Sequence, residues 1–520
     1  MKKAKKLLSV FLAAFMLMTM LPAASFAAGA DKNFIIDNPY AEVDWDAWSD
    51  YKTQLHCHTT ASDGFLPLKE FVQLHYDNNY DIVALTDHGT LNRGWNVVPD
   101  TVPLMRYIKK DRTNMADIIP LSDEEYAAYL DGSASSDSRT HSNGMLDVPL
   151  GNEQNMATPF ADCHLTSYYA EYGQGYAGVF GDYETPSKKV AKLGGITFLS
   201  HVGEYVYPDK DTVNHTGKLV DEYYVNKFAR IFLDNPGSSL GMGINSATDA
   251  HTRCDRILYD QILQKTIPNG VVPWCNTFAD SHSYTSVNDA YTMTWMPELT
   301  NEAFREALEN GWWFSVSHYS NGYELNGMAE IPDFVEQDVY DTQSYWLDNT
   351  PQVTKIEVDE ENDTITVYGV NFNQITWISD TNVIERTTLT EGTDYTCYTG
   401  EDGATYSTEA SVTLDLHSDE LLNSPNLYVR FYITGINGIC YSQPFVLNVE
   451  GEEFTPVEVP ETHDIATALR TFVTIVDYIF FKLSPVVWAF KYFALGYDPI
   501  EQLADSTVDI FNSIYSGTGC

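Results

Sequence analysis

The chain has 520 residues, of which 44% are hydrophobic, 13% aromatic and 20% charged, a globular composition long enough for two to four domains. This excludes a disordered chain, a collagen-like fibre and a polytopic membrane protein. Acidic residues outnumber basic ones 73 to 30, a net charge of −43 that argues against general nucleic-acid binding and leaves only a local basic pocket to hold a phosphate.

Lys2, Lys3, Lys5 and Lys6 precede an apolar stretch from Leu7 to about Leu21, and Ser25-Phe26-Ala27 offers small residues for cleavage. This pattern predicts a secretory signal peptide over residues 1–27, with an uncleaved anchor as the alternative. Cleavage removes four lysines and no acid, which takes the net charge from −43 to −47. The leader fits export to the outside of a Gram-positive cell. The seven cysteines are odd in number and contain no CxxC pair, so they form no disulfide framework. Cys397 and Cys440 share a strand-rich region, where a disulfide and two free thiols both stand open.

Residues 31–50 are a polar, Trp-rich lead-in. From Tyr51 to about Tyr345, strand and helix patterns alternate. Lys52–His58, Ile82–Thr86, Ile196–Ser200 and Trp312–Ser317 read as strands. Pro67–Asn78, Lys188–Leu193, Asp255–Leu263 and Asn301–Asn310 read as helices, with Arg256 and Asp260 on the polar side of the third and Gly311 ending the fourth. The alternation predicts an α/β fold with a largely parallel sheet, in the form of a barrel. Asp131–Gly144, rich in Ser, Asp and Gly, reads as a loop within a long insertion of the kind that covers active sites. From Pro351 to Glu450 the period changes to two. Thr354–Val358, Thr364–Tyr368, Ser411–Leu416, Asn426–Ile433 and Phe445–Val449 predict a small β-sandwich. After a Pro- and Glu-rich linker, Ile465–Ile514 reads as broken apolar helices, suited to core packing, a partner or a membrane surface.

The histidines gather at predicted strand ends beside carboxylates. His56 and His58 lie two apart on a strand and face one side, so both imidazoles reach one cation, while Cys57 points away. Asp63 follows in a Ser62-Asp63-Gly64 turn. Asp87-His88 ends the next strand and His201 ends another. Glu153, His164 and the pair Asp280 and His282 lie between or after them. Asp249 and His251 repeat the form of Asp280 and His282, and the later pair is preferred because it follows the apolar run Val271–Trp274 and precedes the helix Asn301–Asn310. In parallel α/β folds strand C-termini gather at one face, where sites form. Imidazole with carboxylate suits Zn, Mn or Fe.

His56-Cys57-His58-Thr59, Ser62-Asp63-Gly64 and Leu85-Thr86-Asp87-His88-Gly89 resemble the opening motifs of the PHP (polymerase and histidinol phosphatase) family. The resemblance implies a distorted (β/α)7 barrel holding two or three divalent metal ions and hydrolysing phosphoesters. It implies that His56, His58 and Asp280 bind a first metal, that Glu153 bridges, that His164 and His201 complete a second site, and that Asp63, His88 and His282 hold a third. His251 would then reach substrate along with Arg253. Arg93 stands as a phosphate contact or a surface salt bridge. The expected division is a signal peptide at 1–27, a PHP metallohydrolase unit at 28–345, a small all-β, Ig-like sandwich at 351–450 and a helical apolar tail at 461–520.

The ligand set predicts hydrolysis of a phosphomonoester or phosphodiester by water activated at a di- or trinuclear site. The expected partner is a small phosphorylated substrate or a cell-envelope polymer. Two other readings stand beside it. One is a metallohydrolase acting on a C–N bond. The other is an adhesion protein built on an inert barrel.

Overall fold

In a computed structural model, the described residues are 33–101, 118–157, 162–173, 175–176, 183–206, 219–246, 254–318, 348–418, 421, 427–435 and 437–461. The leader, Asp249, His251 and the tail beyond 461 lie outside them.

Strand Ser49–Gln54 runs parallel to Ile82–Val83, which runs parallel to Leu146–Asp147. A second sheet has the order Trp274–Phe278, Ser239–Ser246, Ile196–Leu199, Asp162–Tyr168, Asn152–Ala157, Gly175–Tyr176. Parallel bridges of Cys57 to Ser281 and of His88 to Glu153 sew the two sheets together. Strands of both sheets therefore deliver their ends to one place.

The class is mixed α/β, as the alternation predicts, but strict strand–helix alternation is not kept. Asp162–Tyr168 runs antiparallel to both neighbours. Only residues 158–161 separate it from Asn152–Ala157. A parallel neighbour needs a crossover of roughly a dozen residues or more, so this connection permits only a hairpin.

The helices bury one stripe each. Leu68–Asp77 buries Leu68, Phe71, Val72 and Tyr76, at the three- and four-residue spacing that keeps side chains on one face. Asn301–Asn310 is capped by Thr300 and stops at Gly311, whose φ of 77° suits glycine. A Cβ there would also meet the Trp274 ring at 2.8 Å. Among the described residues no helix is long and apolar enough to cross a membrane.

All five strands expected after Pro351 are present. Four of them are Gln352–Asp359, Thr364–Val370, Ala410–Asp415 and Phe445–Val449. The fifth, Tyr428–Gly435, continues through a turn into Gly438–Tyr441. Inward residues Val353, Ile356, Ile365, Val367, Val412 and Leu414 share one core cluster with Trp377, Phe431 and Ile433.

This region is continuous with the sheet that holds Ser49–Gln54. Trp313–Ser317 pairs with Gly438–Tyr441, Val316 lying opposite Cys440. Gly438 comes so close that a Cβ would lie 2.4 Å from the Ser317 carbonyl oxygen. From the other direction, Phe34–Asp37 in the lead-in pairs with Phe445–Val449. Tyr40 stacks on Phe314 at 4.5 Å, and its hydroxyl donates to the Trp313 carbonyl and accepts from the Gln443 amide. The Gln443 side chain in turn bonds both backbone groups of Cys275, in the strand that leads to Asp280.

Two sequence expectations are corrected. Arg256 and Asp260 do not face solvent; both are buried. Asp260 is paired to Arg430, and Arg256 donates to the Tyr441 hydroxyl. The segment 131–144 does not cover the strand C-termini. Its Arg139 and His141 bind Asp81, and its Thr140 binds Asn79, so it sits at the start of the strand whose far end carries His88. Asp81 is a buried carboxylate, and the segment supplies the donors it needs there.

Candidate metal centre

Glu153 stands at the middle of the site. It is fully buried, and its two oxygens face different groups of imidazoles. Oε1 lies 2.9 Å from His164 Nδ1 and 3.4 Å from His201 Nε2. Oε2 lies 3.3 Å from His56 Nε2, 3.3 Å from His58 Nε2 and 2.9 Å from His88 Nδ1. The bridge of Glu153 to His88 is the seam between the two sheets, so the carboxylate sits where strands of both converge.

Asp280 arrives through the other seam. Its Oδ1 is 2.9 Å from His58 Nε2 and 3.3 Å from His56 Nε2. Asp63 faces three imidazoles, His58 at 3.6 Å, His88 at 3.5 Å and His282 at 3.4 Å. Three groups of donor atoms result, each within 4.8 Å of one another: His56, His58, Glu153 and Asp280; His88, Glu153 and His164; His58, Asp63, His88 and His282.

The nine ligand-type residues expected from the sequence thus come together. The grouping is more shared than the resemblance implies, because His58 and His88 each face two groups. His201 turns to the same Glu153 oxygen as His164, and its ring lies 4.9 Å from that of His164. Asp280 and His282 are both brought to this place, while Asp249 and His251 lie outside the described residues. Arg93 is ion-paired to Glu171 at 2.7 Å on the surface.

The backbone around the site is strained. His201 and Asp280 both adopt positive φ, 30° and 48°. Non-glycine residues held there cluster at functional sites, where the surroundings over-determine them. Gly64 fits the Asp63 turn tightly: a Cβ would lie 2.1 Å from the His58 carbonyl oxygen.

Asp87 was not singled out in the sequence as a site residue. It is buried and accepts from the Thr59 amide at 2.7 Å, the Thr59 hydroxyl at 2.9 Å and the Ser62 hydroxyl at 2.8 Å. Through these bonds it fixes the turn that presents Asp63. The available signal was its place in the Asp87-His88 motif, beside a ligand but facing the opposite way. Cys57 behaves as expected, directing its thiol to the Ala84 carbonyl away from the site. Cys397 and Cys440 are both free thiols.

Burial alone would raise the Glu153 carboxyl, but His88, His56 and His164 overcome it and hold the group well below the ordinary range. Asp280 is likewise held down against burial by His56, His282 and His58. Burial pushes His56 and His164 below the usual imidazole value. His58 goes up despite burial, because the Asp280 and Glu153 carboxylates lie against its ring.

The donor set fits a cation. Both Glu153 oxygens, both His56 nitrogens, His58 Nε2 and Asp280 Oδ1 are buried and make no hydrogen bond. Buried polar atoms left this way call for an ion or water as partner. Ionised carboxylates with neutral imidazoles are the form that binds one.

No family model matches the sequence, and no curated relative matches it. Solved structures do resemble it. One is a two-domain protein containing a predicted PHP-like metal-dependent phosphoesterase from Bacteroides vulgatus, at 13% identity and TM-score 0.35, covering 80% of this chain and 99% of that one. An amidohydrolase from Chromobacterium violaceum has 12% identity and TM-score 0.25, with 44% and 87% covered. A lesion-specific endonuclease from Pyrococcus furiosus has 11% identity and TM-score 0.29, with 50% and 56% covered. At these values the likenesses decide nothing about the reaction.

Proposed function

We propose that the protein is a metal-dependent phosphoesterase of the PHP type, hydrolysing a phosphomonoester or phosphodiester at a di- or trinuclear site on a distorted (β/α)7-like barrel. The observation that carries this reading is Glu153, a buried carboxylate with one oxygen toward His164 and His201 and the other toward His56, His58 and His88. Such a carboxylate fixes the spacing of two cations. His56, His58 and Asp280 would hold one, His164 and His201 a second, and Asp63, His88 and His282 a third. Bound divalent ions of this kind supply hydroxide near neutral pH and neutralise phosphoryl charge. The chain's own part is to orient donors from both sheets on one point and to keep their carboxylates ionised. The leader supports export from a Gram-positive cell, with a small phosphorylated molecule or an envelope polymer as substrate.

The test is metal content of the purified mature protein, with hydrolysis of one generic phosphomonoester and one generic phosphodiester. Two or three Zn, Mn or Fe ions per chain and chelator-sensitive hydrolysis are expected. Failure to retain metal after Mn or Zn addition, with neither ester cleaved, would sink the reading and favour the adhesion alternative.

A further inference from the structure

The ligands are unequally exposed, and the inequality marks the mouth of the site. His56 and His58 side chains are 0% exposed and Glu153 1%, whereas Asp280 and His282 are each 25% exposed and His164 20%. Asp280 and His282 stand at the open edge of the site, as does His164 on the other Glu153 oxygen. Two tight turns form the rim at Asp280 and His282. In one, the Thr60 amide bonds the Leu66 carbonyl and the Gly64 amide bonds the Thr59 carbonyl. In the other, the Ser286 hydroxyl accepts from the His282 amide and donates to the Ser283 carbonyl. The turns are pinned to each other by the Phe65 amide, which donates to the His282 carbonyl at 2.8 Å.

Each turn carries one large aromatic ring into solvent. Phe65 is 61% exposed and Tyr284 56%, and each lies two residues from a ligand, Asp63 or His282. Single exposed aromatics are ordinary on a surface. Two on mutually bonded turns beside the open ligands Asp280 and His282 place apolar surface at the edge of the site.

We propose that Phe65 and Tyr284 form a platform for a planar aromatic ring on the alcohol part of the ester, so that aromatic phosphoesters are preferred over aliphatic ones. The inference rests on the phosphoesterase reading. Stacking on an aromatic side chain tolerates many rings and contributes enough to set such a preference.

The test compares naphthyl phosphate with hexyl phosphate for the metal-loaded wild type, Phe65→Ala, Tyr284→Ala and Phe65→Tyr. The wild type should favour the naphthyl ester in kcat/KM. Each alanine variant should reduce that preference by about tenfold, mainly through KM and at unchanged metal content, and Phe65→Tyr should retain it. A wild type without the preference, or alanine variants that keep it, overturns the platform. If the wild type cleaves neither ester, the reaction reading is what has failed. Calorimetric binding of naphthylphosphonate to wild type and Phe65→Ala then decides the platform alone: weaker binding to the variant supports it and equal binding overturns it.

Discussion

Asp260 and Arg430 form a two-pronged ion pair inside the protein, Nε to Oδ1 at 2.8 Å and Nη2 to Oδ2 at 2.7 Å, joining the helix Asp255–Thr266 to the strand-rich region. Tyr428 adds its hydroxyl to Oδ1 at 2.6 Å. Removing one partner leaves the other charge buried and uncompensated. Arg430→Ala should therefore cost about 3–5 kcal/mol, read as a lower urea midpoint for the whole chain. Replacing both by apolar residues of similar size should recover most of the loss. A single variant of near wild-type stability would show that the pair is not a structural lock.

Glu153 takes part in two donor groups. Glu153→Gln keeps the shape and removes the charge. Metal content should drop by more than one ion per chain, and hydrolysis should fall on the order of a thousandfold, since the cations' electrostatic work amounts to several kcal/mol. Elemental analysis beside steady-state rates would check both. Full metal content in the variant would contradict the bridging role.

Asp87 positions the Thr59–Ser62 turn. Asp87→Ala should weaken metal affinity by about 10–100-fold, the usual effect of losing a supporting hydrogen-bond partner. Competition with a chelator of known affinity measures this directly. Unchanged affinity alongside lost thermal stability would reduce Asp87 to a packing role.

Burial raises the Asp147 carboxyl to about 7, against the Trp95 amide bonded to it at 2.9 Å. In the unfolded chain the same group sits near about 4. The folded state thus binds this proton more tightly. The contribution is complete below about pH 4 and is lost as pH rises through about 7. Asp147→Asn cannot ionise, so it should gain stability relative to wild type between pH 4 and pH 8, by a few kcal/mol at most. Urea midpoints at the two pH values check the sign. A difference that does not vary with pH would contradict the burial account.

The ligand motifs were legible because their geometry is local: two residues of one parity just past a strand end, or a turn directly after it, bring donors together whatever the rest of the chain does. The long-range joins were not legible. Nothing within Trp312–Ser317 announces that its next neighbour is Ile439–Tyr441, and the turn glycine Gly438 gave no hint that it also yields room to Ser317. Charge usually marks the wet side of a helix, and by that rule Arg256 and Asp260 define the polar side of theirs. Burial with partners nearly two hundred residues away inverts that rule. The composition of 131–144 shows that it is a loop but not which end of the strands it serves.

The lead-in strand has a consequence for biosynthesis. Asn33 donates to Glu450 across 417 residues of sequence, at the end of the pairing of Phe34–Asp37 with Phe445–Val449. A ribosome makes the first of these strands long before the second, so its Phe34 and Ile36 must wait unpaired while the intervening strands emerge. Closure of that last sheet edge is a late step, set by the slow search for a distant partner. Until it happens the nascent chain carries an unpaired apolar strand, the feature that chaperones bind and that aggregation exploits.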